Sequence, residues 1–508
     1  MPDRRREPLP ADLDRLPDRD FGYDQARHLL WRAGFGGTPR QIETLAAWGP
    51  EKAVDHLLDV DAIPFEPASP DRFDPDIMRP PTPEEDLAAR LARRQQDEDT
   101  LARLRLEEQQ RQRRDRQQAG DMQRWWLARM IETPRPLEEK MTLFWHGLFA
   151  TSYRTIENSY HMYMQNALFR GHALGSYASL LGSIIRDPAM IAYLDNNDSR
   201  VGQPNENLAR ELMELFSLGV GNYTEKDIKE GARALTGYTF RDDAFYFNED
   251  NHDKGSKQIL GARGSLDGEG FVAAILRQPA CAEYIATRLY DYFALHVNAL
   301  GQDELAPTRR VIARLASALR ESNYQVRPVL RRLFLSRHFY HPAVVANRIK
   351  SPAELVVGAV RSLNTPVRDL GVLLQAMDLM GQSLFYPPSV KGWDGGRSWV
   401  NTSTIFVRQN LMNFLLTGRL PVGSDSSARE ERYDPAPLLE PLASADPAAA
   451  RDPERVVDYL LRFTLGVPHD QAHAVLTAFA AEHGNTITPD VVTGMLLLVA
   501  AMPEYQLC

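Results

Sequence analysis

"NENLARELMELFSLGVGNYTE", residues 205–225, decides the fold class. At about 100° per residue, Leu208, Ala209, Leu212, Met213, Leu215 and Phe216 gather on one side of a helix. Asn207, Arg210, Glu211, Glu214 and Ser217 share the other side, and Glu214 lies within ion-pair spacing of Arg210. Asn205 is a suitable N-cap, because its side chain can accept an orphan backbone N–H. Gly219 is placed to take the left-handed conformation that ends a helix. Thr224 and Asp227 have the spacing of a reciprocal cap. The stretch predicts two helices joined by a tight corner at GVGNY.

The same periodicity runs through most of the 508 residues. Three short helical segments are predicted within 23–59, parted by Gly34 with Gly36 and by Gly49 with Pro50. The proline-rich stretch 61–83 predicts a loop. Residues 84–118 carry nine basic and nine acidic side chains with few apolar ones, which predicts a charged helix projecting from the body. A helix, a proline break and a second helix are predicted over 122–152. "AFYFN" (244–248) and "KQILG" (257–261) bracket a polar tip and predict a small β-hairpin near 244–260. Residues 1–21 predict a flexible N-terminus, 421–453 a surface connection, and 454–508 a last helical group. The fold expected is all-α: one large multi-helix domain over 22–508 with a minor β insertion.

Composition removes several classes of function. Hydrophobic residues make up 43% and charged ones 25%, as in soluble globular proteins. A net charge of -9 argues against a general nucleic-acid binder. Two cysteines, Cys281 and Cys508, cannot build a disulfide framework or a cysteine zinc site. No apolar stretch follows the arginines of "MPDRRREPLP", so neither a Sec nor a twin-arginine signal is read there. "VVTGMLLLVAAM" (491–502) is too short to span a bilayer and predicts a buried helix. The location expected is cytoplasmic, with no membrane span. No G-x-S-x-G, P-loop, Rossmann or HExxH motif occurs, which disfavours serine hydrolases, kinases and nucleotide-dependent dehydrogenases.

Three polar groupings remain as candidates. Glu211 and Glu214 lie one turn apart, where like charges split their titration, so one can act as an acid and the other as base or nucleophile. His252 and Asp253 in the hairpin tip are an alternative acid–base pair. Asn207, Arg210, Glu211 and Glu214 are expected to face the interior and line a polar cleft, where Asn207 and Arg210 would bind ligand beside the glutamates. In "FYPPSVKGWDGGRSWVNTS", Trp393 and Trp399 could stack on a ligand while Asp394, Arg397 and Asn401 give directional hydrogen bonds. Equally, both tryptophans could anchor the loop. A divalent cation would draw on Asp195, Asn197 and His146.

The segments "HLLWRAGFG", "TPRPLEEKMTLFWHGLFATS", "NENLARELMELFSLGVGNYTEKDIKEGARALTGY", "HDKGSKQILG" and "PPSVKGWDGGRSWVNTST" together resemble the large bacterial family catalogued as domain of unknown function 1800. The resemblance runs from about residue 22 to the final "PEYQLC" and implies one long helical domain. Members often carry His-x-His where this chain has His146 and Leu148, which leaves a metal site needing both imidazoles incomplete. Their genes commonly neighbour those of domain of unknown function 1501, whose members often bear export signals. The resemblance thus implies a second expectation: a non-catalytic partner or assembly protein, exported with a signal-bearing partner. The first expectation is a hydrolase acting on a glycan or other polymer.

Overall fold

The computed structural model describes residues 7–67, 72–419, 431–466 and 469–508. It is helical throughout, with β structure only at 238–264 among the described residues. Short apolar stripes explain the helices, and side-chain caps explain where they start. Thr38 with Gln41, Thr82 with Glu85, Thr224 with Asp227 and Ser351 with Glu354 each form a reciprocal cap. Gly49, at φ 77°, kinks the Pro39–Leu58 helix where two helices were expected.

The charged segment differs from expectation. Pro83–Gln95 and Glu98–Glu132 form a helical hairpin, turned at Gln96, which takes the left-handed conformation. The second arm is 35 residues long and runs from solvent into the core. Its buried part begins at Asp115 and includes Trp126 and Met130. Leu87, Leu91 and Leu106 stay exposed on the outer part.

The two expected strands do not pair with each other. Tyr238–Arg241 pairs with Ala244–Phe247, and Lys257–Ile259 pairs with Ala262–Gly264, both antiparallel. Tight turns win over the long loop: Leu260 and Gly261 both take positive φ, the geometry of a two-residue hairpin.

Residues 7–21 are not loose. Leu16 N–H donates to Leu335 O at 2.8 Å, Arg337 N–H donates to Asp14 O at 2.8 Å, and Leu9 and Leu16 are buried. Residues 1–6 lie outside the described part. Of the expected connection at 421–453, residues 421–430 also lie outside it. The rest is packed: Ala436–Ala445 is a helix with Leu438 buried, and the buried Tyr433 donates its hydroxyl to Leu363 O at 2.9 Å. Leu438 and Leu442, four residues apart, supply an apolar stripe that low overall hydrophobicity concealed.

The core is aromatic at its centre. Phe149 packs against Phe169, Tyr177 and Phe216, with ring centroids 6.2, 6.3 and 5.2 Å away. Phe216 belongs to the stretch that follows Asn207–Glu214, so this cluster fixes that helix with its apolar side inward. No helix among the described residues is long and apolar enough to cross a membrane. Pro489–Ala500, which carries most of the apolar run at 491–502, is a half-buried helix of the core.

Candidate functional site

The Asn207–Glu214 helix buries Leu208, Ala209, Leu212 and Met213 completely and turns its polar side outward, not into the expected interior cleft, because the apolar side takes the core contacts. Asn205 Oδ1 accepts from Asn207 N–H at 2.9 Å, but from one residue ahead of the expected place: the cap position is Glu206, whose side chain makes no capping bond. Gly219, at φ 77°, closes the far end, where a tyrosine ring leaves room for little else: a Cβ would lie 3.1 Å from Tyr284. The corner therefore folds as its residues predict.

On the polar side the four candidates part company. Asn207 is exposed. Arg210 turns away from Glu214 and pairs with Glu225 at 3.0 Å and Glu206 at 3.2 Å. Glu214 accepts a hydrogen bond from the Tyr223 hydroxyl at 2.5 Å, and that phenol is pushed up to about 12, chiefly by burial and then by this bond. Glu211 is half-buried. Burial raises its carboxyl above the ordinary range, and the charge of Glu214 adds to the effect, against Arg210 and Lys391. Tyr193 is raised by burial and by Glu211, and Tyr284 by burial with Glu214 contributing. The Tyr284 hydroxyl donates to Leu215 O at 2.5 Å, which pins the ring beside the helix. Two carboxylates thus stand among three tyrosines and a lysine. Tyr193, Tyr284 and Lys391 escaped the sequence reading because they come from other parts of the chain, whereas Tyr223 lies within the opening stretch itself.

His252 and Asp253 do not form a pair with each other. The Nδ1–H of His252 donates to Thr236 O at 2.8 Å, leaving Nε2 as its basic atom, and the ring packs on Phe247. Asp253 takes two bonds from Arg233, at 2.7 and 3.1 Å, and this guanidinium holds its carboxyl below the usual range. The tip is nevertheless joined to the loop before the helix. Val201 N–H donates to Asn251 O at 2.7 Å, and Gly237 N–H to Ser199 O at 3.0 Å. Asn196, fully buried, donates to Leu235 O and Tyr238 O and is a bolt between the two loops.

The glycine-rich loop is anchored through its tryptophans. Trp399 is buried, and Trp393 lies edge-on to His146 with centroids 5.5 Å apart. Gly392, at φ 74°, lets the loop touch the end of the Pro136–Leu148 helix; a Cβ there would sit 2.2 Å from Gly147 O. Asp394 and Arg397 remain exposed, whereas Asn401 Oδ1 caps the Thr402–Thr417 helix through Ser403 and Thr404 N–H. His296 lies under Gly396, a residue no local motif marked.

His146 is enclosed by Trp126, Phe169, Phe385 and Trp393, and burial pushes it down to about 3. Its Nε2 has no hydrogen-bond partner. Asp195 takes a left-handed backbone and Asn197 is exposed. Among the described residues no group of three or more His, Cys, Asp or Glu side chains is arranged to hold a metal ion.

No curated protein and no solved structure matches this chain. The family model described as "Protein of unknown function (DUF1800)" matches residues 28–507, nearly its whole length, and the chain belongs to that family.

Proposed function

We propose that the Glu211–Glu214 face is the acid–base site of a hydrolase acting on a glycan or other polymer. The observation that carries this reading is the unequal setting of two carboxylates one helical turn apart. Glu211 is half-buried with raised proton affinity, while Glu214 accepts from Tyr223. Such a pair can supply an acid and a base or nucleophile at one bond. Tyr193, Tyr223 and Tyr284 offer rings and hydroxyls suited to sugars, and the Trp393 loop would extend the platform. In this scheme Glu211 protonates the leaving group and Glu214 activates water or attacks. Asn207, Arg210, Asp394 and Arg397 line the approach, and His252 with Asp253 holds the neighbouring loop.

A screen of polysaccharides and oligosaccharides with the purified chain tests this. Glu211→Gln should lower kcat by about a hundredfold or more with the fold intact. Activity should fall as pH rises through the raised Glu211 value, because the protonated form is the acid. In Glu214→Gln residual turnover should lose activity at lower pH, since the like charge that raises Glu211 is gone. Full activity in Glu211→Gln would sink the reading.

The exposed leucines of the hairpin favour a second reading, as a partner of a domain of unknown function 1501 protein. Leu87 and Leu91 share one face of Pro83–Gln95. Replacing Leu87, Leu91 and Leu106 by serine should abolish co-purification with that partner; retained binding removes the hairpin from the interface. A cytoplasmic location, or export alongside a signal-bearing partner, is decided by fractionating cells with and without the partner gene.

A further inference from the structure

A cavity of about 400 Å³ opens beside the Pro39–Leu58 helix and shares no lining residue with the Glu211 face. Leu45, Trp48 and Leu57 form part of its apolar wall, and Thr44, His56 and Arg361 part of its polar side. Its size is in the range of small-molecule sites.

Arg361 gives the cavity its chemistry. It reaches from the Pro352–Leu363 helix, and Nη1 donates to Ile131 O at 2.7 Å and Thr133 O at 2.8 Å, with Met130 O at 3.4 Å. These carbonyls close the Glu98–Glu132 helix and carry only partial negative charge. Nε is shut off from water without a partner, and no carboxylate among the described residues pairs with the guanidinium. Burial lowers it to about 10 with no acidic neighbour opposing. Nη1 is spent on those carbonyls and Nε is closed off, so Nη2, which bonds to none of the described residues, is the charged donor left for an oxyanion in the cavity. Nearby, the Lys52 ammonium lies 4.7 Å from the Trp48 ring centre, adding positive charge.

We propose that this cavity binds a small oxyanion-bearing ligand with an apolar ring or short chain. The carboxylate or phosphate accepts from Nη2 of Arg361, and the apolar part rests on Leu45, Trp48 and Leu57.

Calorimetric titration of the full chain with benzoate, phenyl phosphate and uncharged benzyl alcohol tests this. Saturable binding of one charged probe is expected, at least about tenfold tighter than benzyl alcohol. The tighter of the two charged probes identifies the oxyanion. Arg361→Gln should remove that tenfold preference. Because it also cuts the bonds to Ile131 and Thr133, Thr44→Trp serves as a second variant. Thr44 is exposed on the rim, so the larger ring fills the cavity without touching those bonds and should abolish binding with an unchanged circular dichroism spectrum. Equal affinity for benzoate, phenyl phosphate and benzyl alcohol, no saturable binding by any probe, or full affinity in Thr44→Trp overturns the proposal.

Discussion

Lys350 is fully buried between two rings, its Nζ 4.0 Å from the centre of Trp31 and 4.1 Å from that of Tyr505, donating to Tyr505 O at 2.6 Å. Burial pushes it from the ordinary 10.5 down to about 7. Between those values the unfolded chain holds a proton that the folded chain has released, so stability rises with pH across that window. Below it the full penalty is present. Lys350→Met should therefore gain most over the parent near neutrality, the difference shrinking by roughly 1.4 kcal/mol per pH unit toward alkaline pH. Urea unfolding at several pH values measures it, and a pH-independent difference would contradict the buried-amine account. Glu354 is the opposite case. It is shared by Lys140 at 2.8 Å and Arg348 at 2.9 Å, and these cations hold its carboxyl well below the usual range. Glu354→Gln leaves two buried cations without their counter-charge and should cost about 3–5 kcal/mol in the same measurement.

At the scale of elements, caps and stops were legible because they depend on residues within one turn. Gly219 and the Thr224–Asp227 pair perform as their spacing predicts, while Asn205 bonds the first turn from one residue ahead of the cap at Glu206. Removing the cap by Thr224→Ala should cost about 1 kcal/mol, read from a shift in thermal unfolding. Pairing was not legible. "AFYFN" and "KQILG" look like partners, yet each closes on a nearer strand across a short turn. The glycine-rich loop depends on a contact outside itself: Gly392→Ala meets Gly147 O and needs positive φ, so the loop must lift. We expect a loss of about 1–3 kcal/mol and a change in tryptophan fluorescence as Trp393 leaves His146. Serines at Leu87, Leu91 and Leu106 should each alter stability by less than about 0.5 kcal/mol, because all three side chains are exposed to water.

Across the whole molecule, the ends of the chain are tied into one body by cations that end on carbonyls. Arg27 donates to Phe463 O at 2.6 Å and to Thr464 O, Arg32 to Ala294 O and Val344 O, and Arg408 to Lys350 O and Gln506 Oε1. Ile349 bridges Leu507 directly. Removal of residues 453–508 would strip Arg27, Lys350 and Arg408 of acceptors, so the shortened chain should lose cooperative thermal unfolding; a sharp transition near the parent temperature would refute this. The sequence alone determined the helical class and most of the helix caps, since both rest on periodicity and neighbours within four residues; it predicted an interior cleft for the polar side of 207–214, and the structure turns that side outward. Only the tertiary structure decided that Arg210 turns from Glu214 toward Glu225, that Asp253 is spent on Arg233, that Tyr193 and Lys391 come near Glu211, and that Tyr284 comes near Glu214. Those outcomes depend on which distant charge or ring packing brings within reach, and on how much water it removes, and neither quantity is written in local order.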